Sequence, residues 1–213
     1  MMQALKEKGF WRRTAVMLAG VVFLGLGIGL LQISMMGNDP SSAHVMAMAD
    51  KIGISFANLR LCVNVLWAIP ELLFGRKYIG IGTFANWFFV GHIATFFETR
   101  LLSLFSVPDI FIVKFALMIL SVLVLSFGIA LYQTPDVGVA PYDALAILLH
   151  DYTPMPYFWC RIIIDSICTI LTLVFGGLVG LGTLACSLGL GPFISFFSRT
   201  VAARLCGMKK EKQ

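Results

Sequence analysis

Six long apolar runs separated by short polar joins make up most of this chain. A helix that crosses hydrocarbon needs about 20 mostly apolar residues. The runs at about Thr14 to Met35, Ser55 to Phe74, Ile79 to Leu102, Ile110 to Tyr132, Tyr157 to Phe175 and Leu178 to Phe197 are read as crossings on that ground. The second run carries Arg60, Asn64, Pro70 and Glu71, and the fifth carries Arg161 and Asp165 at the matching place. Lipid penalises such a charge by about 3 kcal/mol, so a polar interruption repeated at equivalent positions implies a face turned toward the bundle interior.

The repetition is general. Leu24 to Gly75 reads again from Leu125 to Gly176 at a constant offset, with Gly27/Gly128, Gln32/Gln133, Gly37/Gly138, Pro40/Pro141, Asp50/Asp151 and Arg60/Arg161 in register. After a one-residue deletion, Gly80-Ile81-Gly82-Thr83 returns as Gly180-Leu181-Gly182-Thr183, followed by Gly91/Gly191 and Phe96-Phe97/Phe196-Phe197. The chain is therefore two copies of a unit of about 100 residues, too long a period for a solenoid. Each unit has three crossings, an odd number, so the second copy enters the membrane from the opposite side. The predicted fold is all-α and polytopic, with two inverted-topology repeats of three helices and a functional site expected between them near mid-membrane. The segments after Pro40 and Pro141 are too short to cross: Pro40 to Ile52 rises only about 20 Å as a helix, and a half-helix or interfacial turn is expected there.

Composition supports a membrane protein. Hydrophobic residues make up 59% of the chain and charged residues 13%, and the mean hydropathy is +0.89, which leaves too little polar surface for a soluble globule. Thr14 to Ile33 follows a basic stretch as a secretory signal does, but it is too long for one and lacks a small-x-small cleavage site, so it is read as a retained span. With the N-terminus in the cytoplasm, Lys6, Lys8, Arg12, Arg13, Arg76, Lys77, Arg199, Arg204, Lys209, Lys210 and Lys212 fall inside, and Lys51, Arg100 and Lys114 outside. The positive-inside rule thus puts both termini in the cytoplasm. The net charge of +5 reads as a topology signal and not as a nucleic-acid footprint. The chain divides into a basic N-terminus (1–13), a first repeat (14–105), a second repeat (110–200) and a basic tail (201–213). The five cysteines form neither a disulfide framework nor a zinc spacing, and no cofactor or metal is expected.

Candidate chemistry lies at the joins. Gly37-Asn38-Asp39-Pro40-Ser41-Ser42 and Gly138-Val139-Ala140-Pro141-Tyr142-Asp143 combine a helix-ending glycine with a proline suited to the first helical position. A helix start buried in the membrane would offer free N–H groups to an anion or a carbonyl; an ordinary surface turn has the same sequence. Arg60 and Arg161 could clamp an anionic group, or each could tie the bundle together by holding a carboxylate. Asp165 lies one turn from Arg161, with Asp143 within reach, whereas Arg60 has Asn64 and Ser42 at those places. Gln32 and Gln133 either line a polar cavity or bond a neighbouring helix. His92, with Asn86 and Glu98, is either a proton relay or an interhelical tie. There is no P-loop, H-E-x-x-H, G-x-S-x-G or Cys/His cluster, and the chain is not expected to be an enzyme.

Gly27-Ile28-Gly29, the Gly138 to Asp143 break, Arg161 with Asp165, and Gly180 to Thr183 resemble the bacterial YczE/YyaS/YitT-type family of integral membrane proteins, over roughly Ala15 to Arg204. The resemblance implies a bacterial cytoplasmic membrane protein and leaves its activity undefined; Ser42 and Asn64 in the first copy depart from the aspartates of the second. The leading expectation is a small-solute transporter or exporter whose site is lined by Arg60, Arg161, Asp143, Asp165, Gln32, Gln133, Asn64, Ser42, Pro40 and Pro141. The rival is a scaffold or regulator that binds another membrane protein and moves nothing. Beyond the lipid bilayer and an unidentified solute, a homodimer is the expected partner, because six spans are few for enclosing a pathway.

Overall fold

The computed structural model describes residues 9–104 and 108–207, so Lys6, Lys8, Lys209, Lys210 and Lys212 lie outside the described residues. Within them the chain is all-helical: α1 Phe10–Ser34, α2 Pro40–Ile52, α3 Phe56–Phe74, α4 Ile81–Leu104, α5 Phe111–Gln133, α6 Pro141–Tyr152, α7 Tyr157–Val174, α8 Leu181–Phe197 and α9 Ala203–Cys206. A single wide turn at Ser198–Ala202 joins α8 to α9. The boundaries follow the apolar runs closely, and the two short helices start on the two prolines. Apolar side chains such as Leu66, Phe74, Ile112 and Leu188 remain more than half exposed, as expected of faces turned to lipid.

α4 differs from the other long helices. Among the described residues, five helical segments are long and apolar enough to cross a membrane: α1, α3, α5, α7 and the continuous run Leu181–Cys206. The segment at 79–102 forms α4, which has the length, 24 residues. Asn86, His92, Glu98 and Arg100 interrupt its apolar character and keep it out of that set.

At the centre, α1 crosses α5 at very short range. Gly20 lies against Gly128 and Leu131, while Gly27 lies against Leu125, so numbering rises along one helix as it falls along the other. A methyl group on Gly27 would come within 2.8 Å of the Leu125 Cα, and one on Gly128 within 2.5 Å of the Leu24 nitrogen. Lipid gives apolar helices no reason to associate with one another, so close backbone packing through small residues has to hold them. On its other side α1 runs beside α4 in the same direction, Gly25 meeting Ile93 and Ala94, and Gly29 meeting Ala94 and Glu98. Met17, Val21, Leu24 and Ile28 join Ala85, Val90, Met118, Val122, Leu125 and Ile129 in one buried core.

The joins are exchanged reciprocally between the two units. The Gly82 N–H donates to Val137 O at 2.9 Å and the Gly182 N–H to Met36 O at 2.7 Å. Gly37 and Gly138 have φ of +98° and +123°, and a Cβ on Gly138 would lie 2.7 Å from the Gly80 Cα. Both the backbone conformation and the space therefore demand glycine here.

Gly27→Leu is expected to force α1 and α5 apart and to destabilise the protein by about 1–3 kcal/mol. Gly189→Ala, where an added methyl meets nothing within 4 Å, is expected to be neutral or to gain up to about 1 kcal/mol of helix propensity. Thermal unfolding of the detergent-solubilised variants checks both signs.

Candidate functional site

Each short helix starts inside the bundle. After α1 ends, Met35 turns left-handed with φ 57°, as Asp136 does with φ 53° at the equivalent place after α5. The chain then folds back along α1, so that Asn38 Nδ2 reaches Ile28 O at 3.4 Å. Asp39 caps α2, its Oδ2 accepting from the Ser42 N–H at 3.1 Å and from the Ser41 hydroxyl. Ala140, at the start of α6, has no capping side chain. Pro40 and Pro141 occupy the first helical positions, where no N–H is needed.

The two helix starts face each other across a cavity lined by Asp39, Pro40 and Ser41 of α2 and its cap, Ala140, Tyr142 and Asp143 at α6, Arg60 and Asn64 of α3, and Arg161 and Asp165 of α7. Leu24, Asn86, Leu125, Ile129 and Leu190 close it. Its volume of about 40 Å³ is enough for a few water molecules. Leu24 and Leu125 belong to the α1–α5 crossing, so the cavity sits at the middle of the bundle.

The two arginines repeat one geometry with different chemistry. Arg161 Nη1 pairs with Asp143 Oδ1 and Arg161 Nε with Asp165 Oδ1 at 3.2 Å; the Tyr142 hydroxyl donates to the same Asp165 oxygen. Arg60 Nη1 donates to Ser42 Oγ at 2.9 Å, the counterpart of the Asp143 contact. Its Nε has no acceptor, and Asn64 Nδ2 and Asp39 Oδ1 are also buried without a partner. The second unit thus pairs its charges internally, and the first leaves two donors and one acceptor buried without partners on residues that line the same cavity.

Of the residues expected at the site, Arg60, Arg161, Asp143, Asp165, Asn64 and Pro40 line the cavity, and Ser42 touches it through Arg60. Pro141 sits between two lining residues. Gln32 lies elsewhere: its Nε2 bonds Glu98 Oε2 at 3.1 Å, beside a separate cavity toward the other end of α1. Gln133 lies in a groove next to the centre. His92 is exposed, its Nδ1 2.9 Å from Phe88 O of its own helix, and so is placed as no relay. Asp39 and Tyr142, inside the two candidate joins but outside the expected lining, also line the cavity; an aspartate directly before a helix-starting proline is a capping signature. Glu71, one of the polar residues expected to turn inward, is fully buried with both carboxyl oxygens unpartnered. Among the described residues no group of three His, Cys, Asp or Glu side chains is placed to hold a metal.

Around the site, equivalent helix seams differ. In the first unit α3 and α4 are closed together: Trp87 Nε1 donates to Leu61 O at 3.0 Å, and a Cβ on Gly91 would lie 3.2 Å from both the Ala57 Cα and the Arg60 Cδ. In the second unit α7 and α8 stand apart. Gly191 has nothing within 4 Å, and Ser187, the counterpart of Trp87, lines a groove of about 270 Å³ with Gln133, Tyr157, Phe158, Ile162 and Gly191. The groove includes Arg161 and Asp165, so it reaches the central charges. At its end of the bundle, Lys77 Nζ meets Asp151 Oδ2 at 2.9 Å and the Tyr78 hydroxyl donates to it at 2.7 Å; these contacts hold the Asp151 carboxyl below the usual carboxylate range.

Removing one partner of a buried ion pair leaves a charge without compensation. Arg161→Ala is therefore expected to destabilise the protein by about 3–5 kcal/mol, whereas Arg60→Ala, which breaks one bond to a neutral hydroxyl and a cation–π contact with Phe56, is expected to lose about 2–3 kcal/mol. Thermal or denaturant unfolding of the two variants side by side gives the ranking.

Comparison with known proteins agrees with a membrane identity. An uncharacterized protein of Haemophilus influenzae is 25% identical over 198 residues, covering 90% of this chain and 86% of that protein. "Uncharacterized protein YyaS" of Bacillus subtilis is 24% identical over 176 residues, covering 78% of this chain and 82% of the relative. "Uncharacterized membrane protein YczE" of the same organism is 24% identical over 179 residues, covering 84% and 81%. No solved structure matches. The model of a family described as "Family of unknown function (DUF6198)" matches residues 11–199, and with nearly the whole chain covered, this membrane protein belongs to that family.

Proposed function

We propose that the protein is a small-solute transporter or exporter of the bacterial cytoplasmic membrane, working by alternating access between two inverted three-helix repeats. The observation that carries this reading is the inequality of equivalent seams around one central polar site, α3–α4 closed and α7–α8 open. In an inverted-repeat transporter the two halves exchange conformations, and the site is exposed first to one side and then to the other. A state in which the second unit's groove reaches Arg161 and Asp165 while the first unit's seam covers Arg60 fits one end of such a cycle.

The opposed directions of α1 and α5, and the shared direction of α1 and α4, support three crossings per unit, with α4 as the sixth. At 24 residues it spans about 36 Å, and its Asn86 faces the cavity. The start of α1, the Arg76-Lys77 turn and the end of α9 lie together, with Arg12 Nη2 donating to Arg204 O at 3.2 Å and Arg13 and Lys77 lining one pocket. By the positive-inside rule this end faces the cytoplasm. A scaffold that moves nothing would pair each buried charge, as the second unit does. The unpaired groups around Arg60 favour transport instead.

Two experiments test the reading. In a background lacking the native cysteines, Lys51→Cys and Tyr152→Cys, equivalent exposed positions at the ends of α2 and α6, are expected to react with a membrane-impermeant thiol reagent from opposite faces. Labelling from one face would make the repeats parallel. Then the pairs Ala57→Cys/Gly91→Cys and Phe158→Cys/Gly191→Cys report the two seams. Each pair is expected to form a disulfide in a fraction of molecules in membranes, and locking the second seam is expected to protect Ser187→Cys from labelling. If only the first pair ever links, the seams do not exchange and the transport reading fails.

A further inference from the structure

We propose that the first-unit half of the central cavity seats a small zwitterion, with its carboxylate on Arg60 Nε and Asn64 Nδ2 and its ammonium on Asp39 Oδ1. The proposal rests on the reading of this cavity as the solute site, and it names the chemical class of the solute.

The chain contains its own reference for what an arginine in this position binds. Arg161 holds a carboxylate at each of two nitrogens, Asp143 at Nη1 and Asp165 at Nε. At Arg60 the first of these is a hydroxyl, Ser42, and the second is the amide of Asn64, whose Nδ2 is itself a donor. A donor-bearing amide thus stands where the second unit has a carboxylate, and both Arg60 Nε and Asn64 Nδ2 are left without an acceptor. Arg60 and Asn64 are only 7% and 5% exposed, so bulk water does not satisfy them. An oxyanion can accept from both donors, taking at Arg60 Nε the place that Asp165 Oδ1 takes at Arg161 Nε.

Charge balance decides between a simple anion and a zwitterion. Arg60 and Arg161 share the cavity with Asp39, Asp143 and Asp165, so with all groups ionised it already carries one negative charge in excess. A solute bearing only a carboxylate would add to that excess in a medium that screens poorly. A zwitterion adds none. It also supplies a donor for the remaining orphan, Asp39 Oδ1, whose other oxygen is committed to the cap of α2. The cavity of about 40 Å³ limits the polar ends to a small molecule, with glycine the minimal case. With the α3–α4 seam closed over Arg60, this half has no opening on the first unit's side in this state.

The test is thermal stabilisation of the purified full-length protein by glycine, with acetate and methylamine as the analogues that each keep one charged end. Glycine is expected to raise Tm saturably, and each analogue to need at least tenfold higher concentration. Asp39→Asn keeps a capping oxygen and is expected to weaken glycine at least tenfold. Asn64→Asp installs the second unit's own carboxylate beside Arg60; it is expected to fold at least as well as the parent and to lose the glycine response, which a folding defect would not mimic. Acetate matching glycine, with Asp39→Asn without effect, would overturn the zwitterion in favour of a plain carboxylate. No stabilisation by glycine or L-alanine, while both seam disulfides still form, would overturn the solute assignment and leave alternating access standing. Glycine binding without seam exchange would keep the site and remove transport.

Discussion

The backbone-close crossing of α1 and α5 is the constraint on which the rest of the structure depends. Gly20, Gly27 and Gly128 let the two helices approach until a single added methyl would overlap the neighbouring backbone. In lipid such packing replaces the hydrophobic effect as the source of helix association. Because the helices run in opposite directions, the end of each lies near the start of the other. The reciprocal bonds from Gly82 to Val137 and from Gly182 to Met36 follow from that arrangement.

The same crossing brings the two joins to one place. Each chain segment leaves its long helix through a left-handed residue and a glycine, returns into the bundle, and starts a short helix on a proline. Unpaired backbone groups cannot be left facing lipid, so a helix start at this depth must be enclosed by protein. α3 and α7 provide the enclosure, and with it the arginines. The cavity between Leu24 and Leu125 is therefore a consequence of how α1 and α5 pack, and its polar lining is what buried helix ends require.

Within that frame the two arginines keep one placement and differ in what they hold. Arg60 and Arg161 each reach back to the second residue after the proline, Ser42 in one unit and Asp143 in the other. Where every charge is paired, a buried cluster mainly fixes conformation; where donors are left open, it can bind. The seams differ in the same sense: a tryptophan and a close glycine contact close one over Arg60, and a serine and an open glycine leave the other apart.

The sequence alone determined the helical class, the helix limits, the duplication and the half-helices at Pro40 and Pro141, because these depend on local quantities: apolar run length, helix-ending glycine, helix-starting proline. It also identified Arg60, Arg161, Asp143, Asp165 and Asn64 as candidates, since lipid penalises a polar residue inside an apolar run unless the bundle interior receives it. It could not place Gln32, which bonds Glu98 across a distance of 66 positions in the chain, or recognise that Asp39, Tyr142 and Asn86 share one cavity. Apolar character alone separates α4 from the five other candidate spans, although its length matches theirs. Tertiary structure alone decided which seam is open, which arginine is paired and which polar atoms lack partners. Those properties belong to the fit between helices distant in sequence, and neither periodicity nor composition encodes that fit.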